Sequence, residues 1–102
     1  MALINIDSAI SDTLRFLKSA TVGGGVELMS YKRNRIIAVI VQENGKYLVR
    51  ERGYIEKEEE ISVDFLQKHL KKRMKYEFPR SRKIRLFKFK DINELDRIHQ
   101  KI

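Results

Sequence analysis

Arg35-Ile-Ile-Ala-Val-Ile-Val-Gln-Glu-Asn-Gly-Lys-Tyr-Leu-Val-Arg-Glu-Arg52 is the stretch that decides the fold class of this chain. Its first part, Ile36 to Val41, is mostly β-branched and apolar, the composition of a strand buried on both faces. Asn44-Gly45 is the strongest short hairpin signal, because both central residues of a type I′ turn need positive φ. Lys46 to Arg52 then returns as the partner strand. Upstream, Val26 to Tyr31 alternates loosely and Lys32-Arg33-Asn34 reads as a turn. Residues 26–52 therefore predict a three-stranded antiparallel meander.

On the N-terminal side, Asp7 and Ser8 are residues that cap a helix, and Ile10, Leu14 and Leu17 follow at helical spacing with Phe16 and Ala20 beside them. Gly23-Gly24-Gly25 ends the run, which predicts a helix over 8–20. On the C-terminal side, Glu56, Glu58, Glu59 and Glu60 read as the acidic lead-in to a second helix, where carboxylates face the positive end of the dipole. Ile61, Phe65, Leu66, Leu70 and Met74 supply its apolar face. Met74, Tyr76 and Phe78 also alternate like a strand, so both readings stay open there until Pro79-Arg80-Ser81 turns the chain. Lys83 to Lys90 reads as a strand whose apolar phase shifts between Leu86 and Phe87, which predicts a bulge. Asp91 would cap a final helix carrying Ile92, Leu95, Ile98 and Ile102.

These elements predict an α+β domain of helices on an antiparallel sheet, a single small domain over 1–102. A shift of 47 residues lays Tyr31-Lys32-Arg33-Asn34-Arg35 on Phe78-Pro79-Arg80-Ser81-Arg82, Ile37 on Ile84 and Val39 on Leu86. That suggests two repeated αββ motifs at about 8–52 and 58–102. The alternative takes Leu3–Ile6 as a first strand and gives a ferredoxin-like βαββαβ order.

The chain has 102 residues, 42% of them apolar, with 22 Lys+Arg against 14 Asp+Glu and a formal charge of +8. That length suits one domain, and the apolar share argues against a disordered polyelectrolyte. There is no Cys, which excludes disulfides, thiolate nucleophiles and Cys-ligated metal. The N-terminus lacks a basic region and its apolar run breaks at Asn5 and Asp7, so it does not read as a signal peptide. The longest apolar run, Ile36 to Val41, is far short of the roughly 20 residues that span a bilayer. The expectation is an intracellular protein with no membrane partner.

The 35–52 hairpin resembles the opening hairpin of the Nudix hydrolases, a family identified by a following helix with a Gly, a Glu and an Arg-Glu…Glu-Glu cluster that holds magnesium. Gly53 and Glu59 match the first spacing. Gln67 and Lys68 stand where the Arg-Glu pair belongs, and His69 to Lys72 are not acidic. A hard divalent cation needs convergent carboxylates, so the activity does not carry over. His69 and His99 have no nucleophile or carboxylate partner organised around them in the sequence. Gly23–Gly25 follows a helix instead of preceding one, unlike a P-loop. The expectation is no enzyme, no cofactor and no metal site.

The charge is uneven. Residues 1–60 are neutral overall, whereas residues 61–102 carry 13 basic against 5 acidic side chains. Such an excess is what phosphate binding requires. Lys32, Arg33 and Arg35 cluster at one turn and Arg80, Arg82 and Lys83 at its counterpart, while Lys68, Lys71, Lys72 and Lys75 share one helix face. With Arg85, these residues (Lys71 apart) form the candidate nucleic-acid site for DNA or RNA. Phe87 and Phe89, on the same strand face as Arg85, are places for bases to stack or else core residues. The Glu56–Glu60 run is placed to offset part of this patch. The alternatives are a module that binds a protein or peptide at a sheet edge or in the groove between the motifs, and a structural homodimer.

In size and composition the chain resembles the orphan proteins of filamentous viruses that infect hyperthermophilic archaea: small, cysteine-free and rich in Lys, Arg, Ile and Glu. The high charged fraction, 35% with both signs mixed, is of the same style. The resemblance implies no activity. It implies a binding or structural role in the host cytoplasm.

Overall fold

Asn5 is where the chain changes from strand to helix. Its side chain accepts the Asp7 amide at 3.1 Å, so the cap lies two residues ahead of the predicted Asp7. A computed structural model describes residues 2–91. In chain order it contains β1 (Ala2–Asn5), α1 (Ile6–Ser19), β2 (Gly25–Met29), β3 (Ile36–Val41), β4 (Lys46–Arg52), β5 (Glu56–Ser62), α2 (Val63–Glu77) and β6 (Lys83–Phe89). The strands form one six-stranded antiparallel sheet in the order β1-β6-β2-β3-β4-β5. The α+β class and the 26–52 meander hold. Asn44 and Gly45 both carry positive φ, 63° and 70°, in the β3–β4 turn.

Both helices pack on one face of the sheet. Ala9 and Leu17 of α1 and Leu66, Leu70 and Met74 of α2 are buried against Val26, Leu28, Ile37, Val39, Val49, Ile84 and Leu86. The opposite face carries a second apolar cluster of Ala38, Ile40 and Phe89, edged by Leu48 and Phe87. Gly25 lies in it by necessity, since a Cβ there would overlap the Val39 carbonyl and the Phe89 ring. Among the described residues no helix is long and apolar enough to cross a membrane.

Three expectations are corrected. Glu56–Glu60 is strand, not helix lead-in: β5 pairs with β4 so that Glu58 faces Arg50 and Glu60 lies beside Lys46. Cross-strand pairing of opposite charges outweighs the helix-dipole preference here. The β6 register runs unbroken from Arg85 opposite Met29 to Phe89 opposite Gly25, so there is no bulge. The phase shift arises because β6 is apolar on both faces, with Leu86 under the helices and Phe87 and Phe89 on the other side.

The repeat fails as well. A 47-residue shift lays β2 on residues 72–76, which are helix, and lays half of α1 on β5. Met74 and Phe78 follow the helical spacing, stacking with Leu70 in the core, and the alternating reading loses. The ferredoxin-like alternative places its first strand well, at β1, but β4 and β5 extend the sheet and its strand order differs. The predicted final helix lies outside the described residues.

Candidate functional site

The sheet order determines which turns meet. β2 ends, β3 begins, β4 ends, β5 begins and β6 begins at one end of the sheet, as Met29 opposite both Ile36 and Arg85, and Ile36 opposite Arg52, require. α2 also ends there. The 30–35 turn, the 53–55 turn and the 78–82 loop therefore share one pole of the molecule. Ile6 reaches it too, donating its amide to the Arg82 carbonyl at 2.8 Å.

Each turn is held by its own hydrogen bonds. In the first, the Arg33 amide donates to the Ser30 carbonyl at 2.9 Å, and the Ser30 hydroxyl accepts the Arg35 amide at 3.2 Å. Arg33 takes φ 63°, left-handed backbone that holds its side chain at the tip. The 78–82 loop hangs from buried Phe78, whose amide donates to the Met74 carbonyl and closes α2. It is a helix-to-strand connection and not a second hairpin tip, so the expected symmetry between the two basic turns is absent. Their proximity comes instead from β6 lying beside β2.

Lys32, Arg33, Arg80, Arg82 and Lys83 are exposed at this pole. Lys68, Lys71, Lys72 and Lys75 run along the outer side of α2 toward it, on one helix face. None of these nine makes an ion pair or side-chain hydrogen bond with another described residue. Glu58, Glu59 and Glu60 do not offset them, whereas Glu56, opposite Arg52, begins β5 at the same pole. Glu58 is spent on Arg50 at 2.8 Å, Glu59 on Lys57 at 3.1 Å and Glu60 on Lys46 at 3.3 Å, all on the far β4–β5 edge.

Arg35 and Arg85 behave differently. Arg35 lies over the Tyr54 ring at 4.0 Å and donates to the Glu77 carbonyl at 3.3 Å. Arg85 lies over the Tyr31 ring at 4.8 Å and donates to the Tyr31 carbonyl at 3.0 Å. These two guanidiniums hold the pole together. Arg73 does the same from below, at 4.6 Å from the Tyr76 ring, while Tyr54 and Tyr76 meet edge to face at 5.8 Å.

Beneath the pole lies a buried ionic cluster. Arg73 donates to both Glu51 oxygens, at 2.6 and 2.8 Å. Removing one partner of such a pair costs about 3–5 kcal/mol, because a charge is left buried alone. Glu77 lies beside them, fully buried, and its Oε1 accepts the Tyr54 amide at 3.0 Å. Gly53 must be glycine for this approach, since a Cβ would overlap the Glu77 carboxylate.

Burial pushes the Glu77 carboxyl above its ordinary value, and its hydrogen bond with Glu51 pushes it further. Burial also raises Glu51, but hydrogen bonds from Arg73 and Glu77 and the Arg73 charge bring it to a net value below the ordinary one. With both carboxyls ionised, the buried Glu77 Oε2 meets no donor. A proton on Glu77 makes it a donor to Glu51 and removes the repulsion. Nearby, burial pulls the His69 imidazole down more than Glu59 at 3.4 Å raises it, so their contact is not an ion pair at neutral pH.

Of the two readings of Phe87 and Phe89, the core one holds. Phe89 is 1% exposed and packs against half-buried Phe87 with ring centroids 6.3 Å apart. Tyr31, Tyr54 and Tyr76, at 65, 56 and 46% exposure, are open on the basic pole, while Phe65, expected on the apolar face of α2, is 66% exposed in that helix's first turn. Among the described residues no three His, Asp or Glu side chains converge in a way that could hold a metal. No family model, curated protein or solved structure matches this chain.

Proposed function

We propose that the protein is a non-catalytic nucleic-acid binder that contacts phosphates with Lys32, Arg33, Arg80, Arg82 and Lys83 at the pole and with Lys68, Lys72 and Lys75 along α2. The observation that carries this reading is the meeting of two basic turns, far apart in sequence, at one end of the sheet with no ion pair to a carboxylate among the described residues. Cations without internal partners keep their full attraction for a polyanion, and each phosphate neutralised releases condensed counterions. Arg35 and Arg85 act by supporting the surface from behind.

The test is a salt titration of binding to DNA and RNA. The logarithm of affinity should fall linearly with the logarithm of salt concentration. Arg33→Ala and Arg80→Ala should each weaken binding at low salt and reduce the slope by about one. An unchanged slope in both variants removes the turns from the site, and no complex at low salt removes the reading.

A specific feature favours a second reading, an acidic peptide as partner. A cleft of about 570 Å³ lies between the helices, with Ile6, Ile10, Met74 and Phe78 as apolar lining and Lys71, Lys75 and a single carboxylate, Asp7, as its charged residues. An amphipathic acidic helix has the chemistry to fill such a groove.

A further inference from the structure

We propose that the tyrosines of the basic pole are stacking platforms for unpaired bases, so that the ligand class is single-stranded nucleic acid in preference to duplex. The inference rests on the nucleic-acid reading above and adds the kind of strand. Tyr31, Tyr54 and Tyr76 are the large aromatic side chains that this pole leaves open, although each ring also touches a guanidinium: Arg85, Arg35 and Arg73 respectively. A cation over a ring fixes its orientation in advance, which lowers the entropy lost when a base arrives.

The backbone that carries each ring is also tied to the frame. Tyr54 is held by its amide on Glu77, Tyr31 by its carbonyl under Arg85, and Tyr76 by its place in the last turn of α2. Three exposed, braced aromatics among unpartnered Lys and Arg side chains are the two parts of a single-strand site: a stacking surface and a track for the backbone. A duplex cannot use the first part, because its bases already stack on one another. It would meet only the cations.

The chain has four Tyr and no Trp, and Tyr47 is the one tyrosine away from the pole, packed against the core. Intrinsic tyrosine emission is therefore a direct report on these rings. The probes are a fluorescently labelled single-stranded oligothymidylate of about 16 nucleotides and a duplex of the same length, bound at low salt. The single strand should bind more tightly than the duplex and quench tyrosine emission. Tyr31→Leu and Tyr54→Leu should each weaken single-strand binding roughly 5- to 100-fold, the loss typical of one base–aromatic stack. Duplex binding should stay unchanged in both, and Tyr31→Phe and Tyr54→Phe should keep wild-type affinity.

If duplex and single strand bind equally and the leucine variants change neither, the platforms fall while phosphate binding stands. If Arg33→Ala and Arg80→Ala are also without effect, the site itself is misplaced. If neither probe binds at low salt, the nucleic-acid reading falls and this inference falls with it.

Discussion

Glu77 has no exposed surface, holds the Tyr54 amide on one side-chain oxygen and offers its backbone carbonyl to Arg35. Its carboxyl is raised above the ordinary 4.5 by burial first and by Glu51 second. A group raised on folding favours the folded state fully below its unfolded value, and that contribution is lost as pH climbs through the raised folded value. Glu51 acts the other way: its lowered value gives stability that is present above 4.5 and lost on acidification. Glu77→Gln keeps the acceptor for Tyr54 and supplies a permanent donor toward Glu51. The variant should therefore be more stable than wild type above the raised value, by about 1–3 kcal/mol, with the gap closing toward acid. Urea unfolding across that range measures it, and a gap that ignores pH would exclude a shared proton. Very little of this cluster was legible beforehand. Arg73 and Glu77 are neighbours by their spacing of four on α2, but nothing local to either predicts Glu51 of β4 beside them.

At the scale of elements, β5 shows local preference losing to a neighbour. Four glutamates in five residues suit a helix entrance, yet Glu56, Glu58 and Glu60 stand on one face of an edge strand while Lys57, Glu59 and Ile61 turn to the other. Lys46 and Arg50, one strand away, make this arrangement favourable. The charges also protect the edge, since a polar, acidic outer strand is a poor template for another chain. Replacing Glu58 and Glu60 by Val should leave the fold intact, because β-branched residues suit a strand, and should free Lys46 and Arg50 beside an apolar edge. Sedimentation velocity should then show concentration-dependent association that wild type lacks under the same conditions. Unaltered sedimentation would mean that these glutamates have no protective role. The helices were legible because each buries a continuous apolar stripe. The 47-residue repeat misled because basic turns and alternating strands recur in unrelated segments, whereas Leu70, Met74 and Phe78 had already committed residues 72–76 to helix.

Across the whole molecule, charge is sorted by pairing instead of by position in the chain. The β4–β5 edge neutralises itself, and the outer side of α2 and the 30–35 and 78–82 turns stay cationic. This sorting bears on the cleft between α1 and α2 as well. An acidic amphipathic peptide of about 15 residues, long enough for a marginal helix, should bind there. Lys71→Glu with Lys75→Glu should reduce that binding at least about tenfold, given two like-charge contacts at the rim, while Lys32→Glu should leave it alone. Calorimetric titration distinguishes the cases, and equal effects from both changes would mean general electrostatics instead of a groove.

The sequence by itself determined the α+β class, the meander, the two helices and the net charge, since each depends on spacing or composition within a short window. Which turns meet was decided by the tertiary structure. α2 carries the chain from β5 at one edge of the sheet to β6, which inserts between β1 and β2. That single long connection brings Tyr76, Arg80 and Arg82 to the end where the meander already holds Tyr31, Lys32, Arg33 and Tyr54. Side-chain pairing acts over a few ångströms of space, and distance along a chain says little about distance across a sheet.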